Sequence, residues 1–224
     1  MDHDKNAKFF RPSPSLKLPV IGGLVGLIGL AINPVFGISV LIIVILITVA
    51  LFSGRPSEDE IDRQAGEFIK NIKAEALRKT LLEEEQLSAE PIFFWNYQIG
   101  PAVLTDPAVA GLQDKRGGDG RWRSPHVEVT AFLFTESAIH YYRKISSLVS
   151  DATKVTTDEL YYKHVTGVTS DSKEYKIEQG DQTVQGNVVV LRSGGESFFF
   201  NAPDNDSAER AAMAVKSLLR QKNA

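Results

Sequence analysis

The sequence contains no cysteine, which excludes disulfide frameworks, thiolate metal sites and cysteine nucleophiles. Histidine is scarce as well, and the four histidines show none of the paired spacings typical of zinc ligands. His140 and His164 fall in predicted strands and could meet across a sheet, but isolated histidines usually pack or lie at the surface. We therefore expect no metal site and no cofactor.

Catalytic motifs are also missing. Ser193-Gly194-Gly195 lacks the nucleophile-elbow pattern, and the glycine-rich residues 114–120 match neither the Walker pattern nor a dinucleotide fingerprint. The chain is therefore not expected to be an enzyme, and no catalytic residue is predicted. With Lys+Arg 25 against Asp+Glu 28, the net charge of −3 gives no indication of a nucleic-acid partner.

Charged residues are absent between Leu18 and Gly54, and this run predicts a membrane protein. The run is much longer than the about 20 residues with which one helix crosses the hydrocarbon core. Pro34 cannot donate an amide to a helix and disfavours helical geometry at Asn33, so residues 33–34 are predicted to form a turn. The sequence therefore predicts a transmembrane helical hairpin over residues 18–54.

The first arm of this hairpin contains glycines at helical spacing, among them Gly22, Gly26 and Gly29. Small residues at such spacing let membrane helices approach closely, so the arm is expected to pack on the second arm or on a neighbouring subunit. The plainer explanation is that glycine is common in membrane helices. The alternative interpretation of the whole segment is a secretory signal peptide. The length of the run, the central proline and the lack of a small-residue cleavage site argue against it.

Basic residues flank the run on both sides. Lys5, Lys8, Arg11 and Lys17 precede it, and Arg55 follows it. By the positive-inside rule these flanks stay in the cytoplasm. The prediction is a two-pass inner-membrane protein with both termini and the large domain cytoplasmic. If only the second arm spans and the short first arm lies in the interface, the large domain lies outside instead.

Residues 55–90 are predicted to form one amphipathic connecting helix of about 30 residues. Ser57 with Glu60 gives a helix start, and apolar residues recur at spacings of three and four from Ile61 to Ala76. Such a helix packs on its own domain or lines up with copies of itself. Its apolar stripe is too irregular for a regular heptad repeat.

From Pro91 onward the pattern changes to the aromatic and β-branched residues typical of strands. A segment rich in turn residues, at about 100–125, interrupts this pattern. A helix capped at Asp206 closes the chain. The predicted strands are Pro91–Ile99, His126–Phe134, Ala138–Ile145, Leu160–Thr169, Glu174–Gln179, Val184–Arg192 and Glu196–Asn201.

Three segments carry a resemblance to a known family. Leu133–Arg143 resembles the hairpin of bacterial pleckstrin-homology-like (PH/GRAM-like) domains, Tyr161–Val168 is similar to their next strand, and Gly195–Phe200 with the helix from 205 to 220 is similar to their end. The resemblance implies an antiparallel β-barrel closed by a C-terminal helix, and a binding or assembly module without catalytic residues. Bacterial members often follow a pair of membrane helices. The insertion at about 100–125 departs from the family's short first connection.

The glycine-rich loop carries the best candidate for a ligand site, in which basic residues surround an aromatic one: Lys115, Arg116, Arg121, Trp122 and Arg123. Lys115 with Arg121-Trp122-Arg123 resembles the basic loop of phosphoinositide-binding pleckstrin-homology domains, which implies headgroup phosphates as ligands. Guanidinium groups bind phosphate bidentately near an anionic leaflet. The other explanation is that Asp114 pairs with an arginine and only orders the loop.

The fold class predicted from these patterns is membrane-anchored α+β. Its parts are a cytoplasmic basic tail (1–17), a transmembrane hairpin (18–54), an amphipathic helix (55–90) and a PH-like domain (91–224). The predicted function is a non-enzymatic interaction and assembly module, either a homo-oligomeric scaffold or a regulatory subunit of a bacterial membrane complex. Its expected partners are membrane lipids, further copies of the chain and another protein.

Two alternatives to this function remain. One is binding of anionic lipid headgroups by the basic loop, residues 115–123. The other is a pore or transport subunit formed by the oligomerised hairpin, although no ionisable residue lies in the run to mark a pathway.

Overall fold

The computed structural model describes residues 1–13, 15–99, 104–177 and 183–222, without the side chain of Phe52. The fold is α+β with antiparallel sheets. The helices are α1 (His3–Phe10), α2 (Lys17–Ile32), α3 (Pro34–Phe52), α4 (Glu58–Glu67), α5 (Ile72–Thr80) and α6 (Asn205–Lys222). The strands are β1 (Ala89–Tyr97), β2 (Lys115–Arg116), β3 (Trp122–Arg123), β4 (His126–Phe134), β5 (Ala138–Ser147), β6 (Thr153–Tyr161), β7 (Val165–Lys176), β8 (Thr183–Ser193) and β9 (Glu196–Ala202).

The described strands form three separate sheets. One has the order β1-β4-β5-β6, a second has the order β7-β8-β9, and β2 pairs with β3 alone. The predicted closed barrel is therefore wrong for these strands. Strands β6 and β7 separate at a short 3-10 turn, Tyr162–His164, and β1 meets β9 through a side-chain bond in which Asn96 Nδ2 donates to the Ala202 carbonyl at 2.7 Å.

The core lies on both faces of the four-stranded sheet. One face packs Phe132 and Phe134 against Phe200 of the three-stranded sheet and against α6, where Ala211 and Val215 are buried. The opposite face is covered by helices: the buried residues Val129 and Leu133 share a cluster with Phe10, Ile61, Ala65, Ile72 and Ala76. Burial of alternate residues on both sides explains why β4 is buried along its whole length.

The single long helix predicted over residues 55–90 is wrong. The structure divides it into α4 and α5, and a 3-10 turn at Glu84–Gln86 follows. Helix α4 begins as expected, because the Ser57 side chain accepts from the Glu60 amide at 3.2 Å. Helix α5 ends at Leu81, whose φ of 58° is left-handed. Both short helices contribute buried residues to the cluster on the four-stranded sheet: Ile61 and Ala65 from α4, and Ile72 and Ala76 from α5.

Residues 1–17 do not form a tail. Helix α1 occupies residues 3–10, and its Phe10 side chain is fully buried beside α4 and the sheet. The buried Asn6 side chain donates to Gln64 Oε1 at 2.7 Å and to the Leu148 carbonyl at 2.8 Å. The segment before the apolar run is therefore part of the same folded unit as the residues after it.

Strand prediction succeeds for β4 and for most of β5, β8 and β9. The strand expected over Leu160–Thr169 combines the end of β6 with the start of β7, and most of β6 was missed because its exposed side chains are polar and do not alternate. The expected strand Glu174–Gln179 continues β7, but its residues 178–179 lie outside the described ranges. Helix α6 is capped by Asp204 instead of Asp206, since Asp204 Oδ1 accepts from the Ser207 amide at 2.6 Å.

Candidate functional site at the end of the apolar helices

Helix α3 is long and apolar enough to cross a membrane, and little of its span from Pro34 to Leu51 is buried in the protein. Helix α2 is shorter and equally free of charge after Lys17. Their side chains make up most of the large exposed apolar residues of the chain. An exposed apolar surface of this extent requires lipid or another apolar partner.

Glycines of α2 lie against α3. A Cβ at Gly22 would be 2.6 Å from Val44 Cγ2, one at Gly26 would be 2.8 Å from the Leu41 side chain, and one at Gly29 would be 3.0 Å from the Phe36 ring. The three predicted packing glycines therefore face the partner helix within the chain. Sequence reasoning missed Gly37, where a Cβ would be 2.3 Å from the Leu30 amide nitrogen.

The basic loop does not bring its five predicted residues together, and Arg123 is the clearest departure. Its guanidinium is buried. It donates twice to Asp62 at 2.7 and 2.8 Å and twice to Asp119 at 2.8 and 3.0 Å, and it lies 3.2 Å from Glu58 Oε2. Three carboxylates thus occupy Arg123, so it holds the β2–β3 hairpin on α4 and is not free to bind phosphate.

The contacts of this cluster shift the pKa values of Asp62, Asp119 and Tyr97. Burial opposes ionisation of Asp62, but hydrogen bonds from Arg123 and Tyr97 outweigh it and lower the pKa of this carboxyl. Hydrogen bonds from Arg123 and from the Arg121 amide lower the pKa of Asp119 to about 2. Burial, followed by the contact with Asp62, raises the pKa of Tyr97. The carboxylates are therefore ionised at neutral pH and the phenol is not.

Lys115 and Arg116 line a cleft that does not include Arg123. With Phe9 and Arg55 they line a cleft of about 370 Å³ directly after the end of α3. Lys115 Nζ is 5.4 Å from the centre of the Phe9 ring, and burial together with the charge of Arg55 lowers the pKa of Lys115. Lys8 Nζ lies beside Gly54 at the same end of α3. We call this set of residues the exit cleft.

Arg121 and Trp122 face a second, smaller cleft of about 210 Å³, which is also lined by Asn187 and Pro203. Arg121 is exposed, and its nearest carboxylate oxygen, Asp62 Oδ2, is 3.8 Å away. The predicted loop residues therefore do not form one site. Lys115 and Arg116 line the exit cleft, Arg121 is exposed, and Arg123 is buried. Sequence reasoning missed Phe9 and Arg55 because the apolar run separates them from each other and a long stretch of chain separates both from the loop.

In the described part of the chain, His126, His140 and His164 lie next to polar or aromatic side chains. No group of three or more histidine or acidic residues there is placed to hold a metal ion. His140 contacts Thr135 and lies 3.8 Å from Glu159, while the His164 ring packs edge-on against Tyr161. His126 lies 3.6 Å from Asp106, and burial lowers its pKa despite that carboxylate.

The chain is thus α+β, and basic side chains and one carboxylate, Glu58, line the cleft that follows the end of α3. No family model, curated protein or solved structure matches this chain.

Proposed function

We propose that this chain is a non-enzymatic, membrane-anchored interaction and assembly module. The observation that carries the proposal is the position of α2 and α3: two exposed apolar helices lie between segments that pack into one folded domain. Helix α1 precedes them and α4 follows them, and both contribute to the same buried cluster. We also propose, from the sequence resemblance, that the domain is PH-like.

This arrangement supports a two-pass topology. Because α1 and α4 pack on the same sheet, the chain returns after α3 to the side from which it left before α2. One spanning helix with the other lying in the interface would separate α1 from the domain. The basic flanks then favour the cytoplasm for the domain.

Cysteine labelling tests this topology in the full chain, which has no cysteine of its own. Ile32→Cys lies at the tip of the helix pair, where the side chain is 82% exposed, and Asp151→Cys lies on the domain, where it is fully exposed. We expect a membrane-impermeant maleimide to reach Ile32→Cys only from outside the cell and Asp151→Cys only in inverted vesicles. Labelling of both positions from the same side would refute a spanning pair.

The assembly part of the proposal is supported by an open sheet edge. Strand β6 ends the four-stranded sheet, and most of its side chains from Thr153 to Asp158 are exposed. An edge strand can pair with a strand from another chain. The three predicted glycines of α2 do not serve this purpose, since they face α3.

Particle mass in detergent tests assembly. We expect the full chain to be oligomeric and Thr157→Lys, which places a charge on the exposed edge, to shift it toward monomer. Ser217→Lys on the exposed face of α6 is the matched control and should leave the mass unchanged. A monodisperse wild-type monomer would remove the assembly function while leaving the anchor intact.

The exit cleft favours a second function, contact with anionic lipid headgroups. Lys8, Arg55, Lys115 and Arg116 gather at the point where α3 ends, at the depth at which headgroup phosphates lie beside a spanning helix. Native mass spectrometry of the full chain should show retained phosphatidylglycerol in preference to phosphatidylcholine. Lys115→Ala with Arg116→Ala should abolish that preference, and the exposed pair Lys163→Ala with Lys216→Ala should not.

The structure offers no support for a pore. The polar side chains described within α3 are turned onto their own helix: Ser39 donates to the Val35 carbonyl at 2.9 Å and Thr48 to the Val44 carbonyl at 2.8 Å. Both hydroxyls are therefore satisfied without a water-filled path.

A further inference from the structure

A cleft of about 340 Å³ lies between the four-stranded and three-stranded sheets, away from the exit cleft. An ion pair lies at its base. Glu128 is fully buried, and it accepts from Arg143 Nη2 at 2.6 Å and from Asn201 Nδ2 at 2.8 Å. Tyr175 donates to Asn201 Oδ1 in turn. A charged pair in a core position costs more than apolar packing would, so its retention calls for an explanation.

Not all N–H donors of the Arg143 guanidinium are hydrogen-bonded to the described residues of the protein. Its buried Nε–H has no hydrogen-bond partner among the described residues, and a quarter of its side chain is exposed to the cleft. A guanidinium offers five N–H donors in a planar fork. Glu128 takes a bond from Nη2, which leaves an edge of the fork without an acceptor.

The walls of the cleft are aromatic, and a second cation lies among them. Tyr141, Tyr175 and Phe199 line the space, and Lys173 Nζ lies 4.6 Å from the centre of the Phe199 ring. No carboxylate of the described ranges lies within 4.0 Å of this ammonium group. Arg143 and Lys173 are the charged side chains that line the cleft; Glu128 pairs with Arg143, and Asp158 lies next to Tyr141.

We propose that this cleft binds a small organic monocarboxylate with a flat aromatic or apolar body. The carboxylate accepts from the exposed part of the Arg143 guanidinium and from the Lys173 ammonium, while the body packs against Tyr141 and Phe199. Charge-assisted donors at one end and aromatic walls at the other are the usual composition of a small-ligand site. The proposal is independent of the anchor and of assembly.

The test uses the full chain in detergent with 4-fluorophenylacetate as the probe, followed by fluorine NMR. We expect saturable line broadening that the neutral 4-fluorophenylacetamide does not produce at equal concentration. Unlabelled phenylacetate should displace the probe, whereas the same concentration of inorganic phosphate should not. Equal broadening by the amide, or displacement by phosphate, would overturn the assignment of an organic carboxylate.

Two variants locate the binding. Lys173→Ala should weaken the affinity about fivefold, the upper end of what one exposed charge contributes. Lys163→Ala is the matched control, because Lys163 also lies over a tyrosine ring, that of Tyr161, but outside the cleft. Ser197→Trp should fill the cleft and abolish binding without touching the Glu128–Arg143 pair. Circular dichroism confirms that each variant is folded, and unchanged binding by folded Ser197→Trp would place the probe elsewhere.

Discussion

Arg123 contacts three carboxylates from two parts of the chain and so makes most of the side-chain contacts that attach the β2–β3 hairpin to α4. Asp62 and Glu58 come from α4, and Asp119 comes from the hairpin itself. Tyr97 of β1 adds a third element, since its hydroxyl donates to Asp62 Oδ1 at 2.6 Å. The cluster therefore joins a helix, a hairpin and the main sheet.

Arg123→Ala should destabilise the domain by about 1.5–3 kcal/mol, because it removes a buried side chain whose hydrogen bonds to partly exposed carboxylates join the hairpin to α4. Arg121→Ala should change stability by less than about 0.5 kcal/mol, since that side chain is 58% exposed. Urea unfolding of the full chain in detergent, followed by tryptophan fluorescence, measures both. Equal effects of the two substitutions would contradict a structural role for Arg123.

The same cluster predicts a loss of stability in acid. Asp62 and Asp119 have lowered pKa values in the folded state, that of Asp119 about 2. Their contribution is fully present above the unfolded aspartate pKa of about 3.9 and is lost as the pH falls through the folded values. Unfolding measured between pH 5 and pH 2 should show this loss in the wild type. Arg123→Ala should show a smaller change over the same range.

The role of Arg123 could not be predicted from the sequence. Arg121 and Arg123 flank Trp122 symmetrically, and nothing local distinguishes the arginine that turns inward. Its partner Asp62 is 61 positions away in the chain. The sequence indicated that Asp114 could pair with an arginine and order the loop, and it did not single out Asp119, which contacts Arg123 in the structure.

At the scale of elements, the contact between α2 and α3 is closest at Gly37. A Cβ there would meet backbone atoms of Leu30 and Gly26, which cannot rotate away as a side chain can. Gly37→Ala should therefore loosen the pair by about 1–3 kcal/mol. Faster hydrogen exchange of α2 amides, measured by mass spectrometry, reports this change. Gly23→Ala is the control, because nothing lies within 4 Å of its added Cβ.

Helix α1 offers a second element-scale prediction. Phe10→Ala should destabilise the domain by about 3–5 kcal/mol, because the ring is fully buried and its removal leaves a cavity. Met213→Ala on α6, where the side chain is 59% exposed, should have little effect. Thermal unfolding followed by circular dichroism compares the two. Similar midpoints would mean that α1 contributes little to the fold.

Elements with regular alternation or an uninterrupted apolar run were predictable. Strand β4 was predicted with the same bounds, and the turn at Asn33-Pro34 follows from proline chemistry. Strand β6 was missed because an exposed edge places no apolar residues on a regular face. The division of residues 55–90 into two helices depends on how they pack on the sheet beneath them. The spacing of apolar residues in the sequence carries no information about that packing.

At the scale of the whole molecule, the sequence predicted an α+β chain with an apolar segment near its N-terminus, and the structure agrees. It did not predict that the first ten residues belong to the domain, because their packing partners lie beyond the apolar run. The sheets also remain separate where a closed barrel was expected. Both differences arise from contacts between residues distant in the chain, which local patterns do not report.

The proximity of residues 12 and 55 has a practical consequence. Arg55 Nη2 donates to the Pro12 carbonyl at 3.3 Å, so the helix pair leaves the domain and rejoins it at nearly the same point. Residues 13–54 can therefore be deleted and replaced by a short glycine–serine linker that joins residue 12 to residue 55. The shortened chain would keep Phe10 and Asn6 in place and would give a water-soluble domain for crystallography and ligand screening.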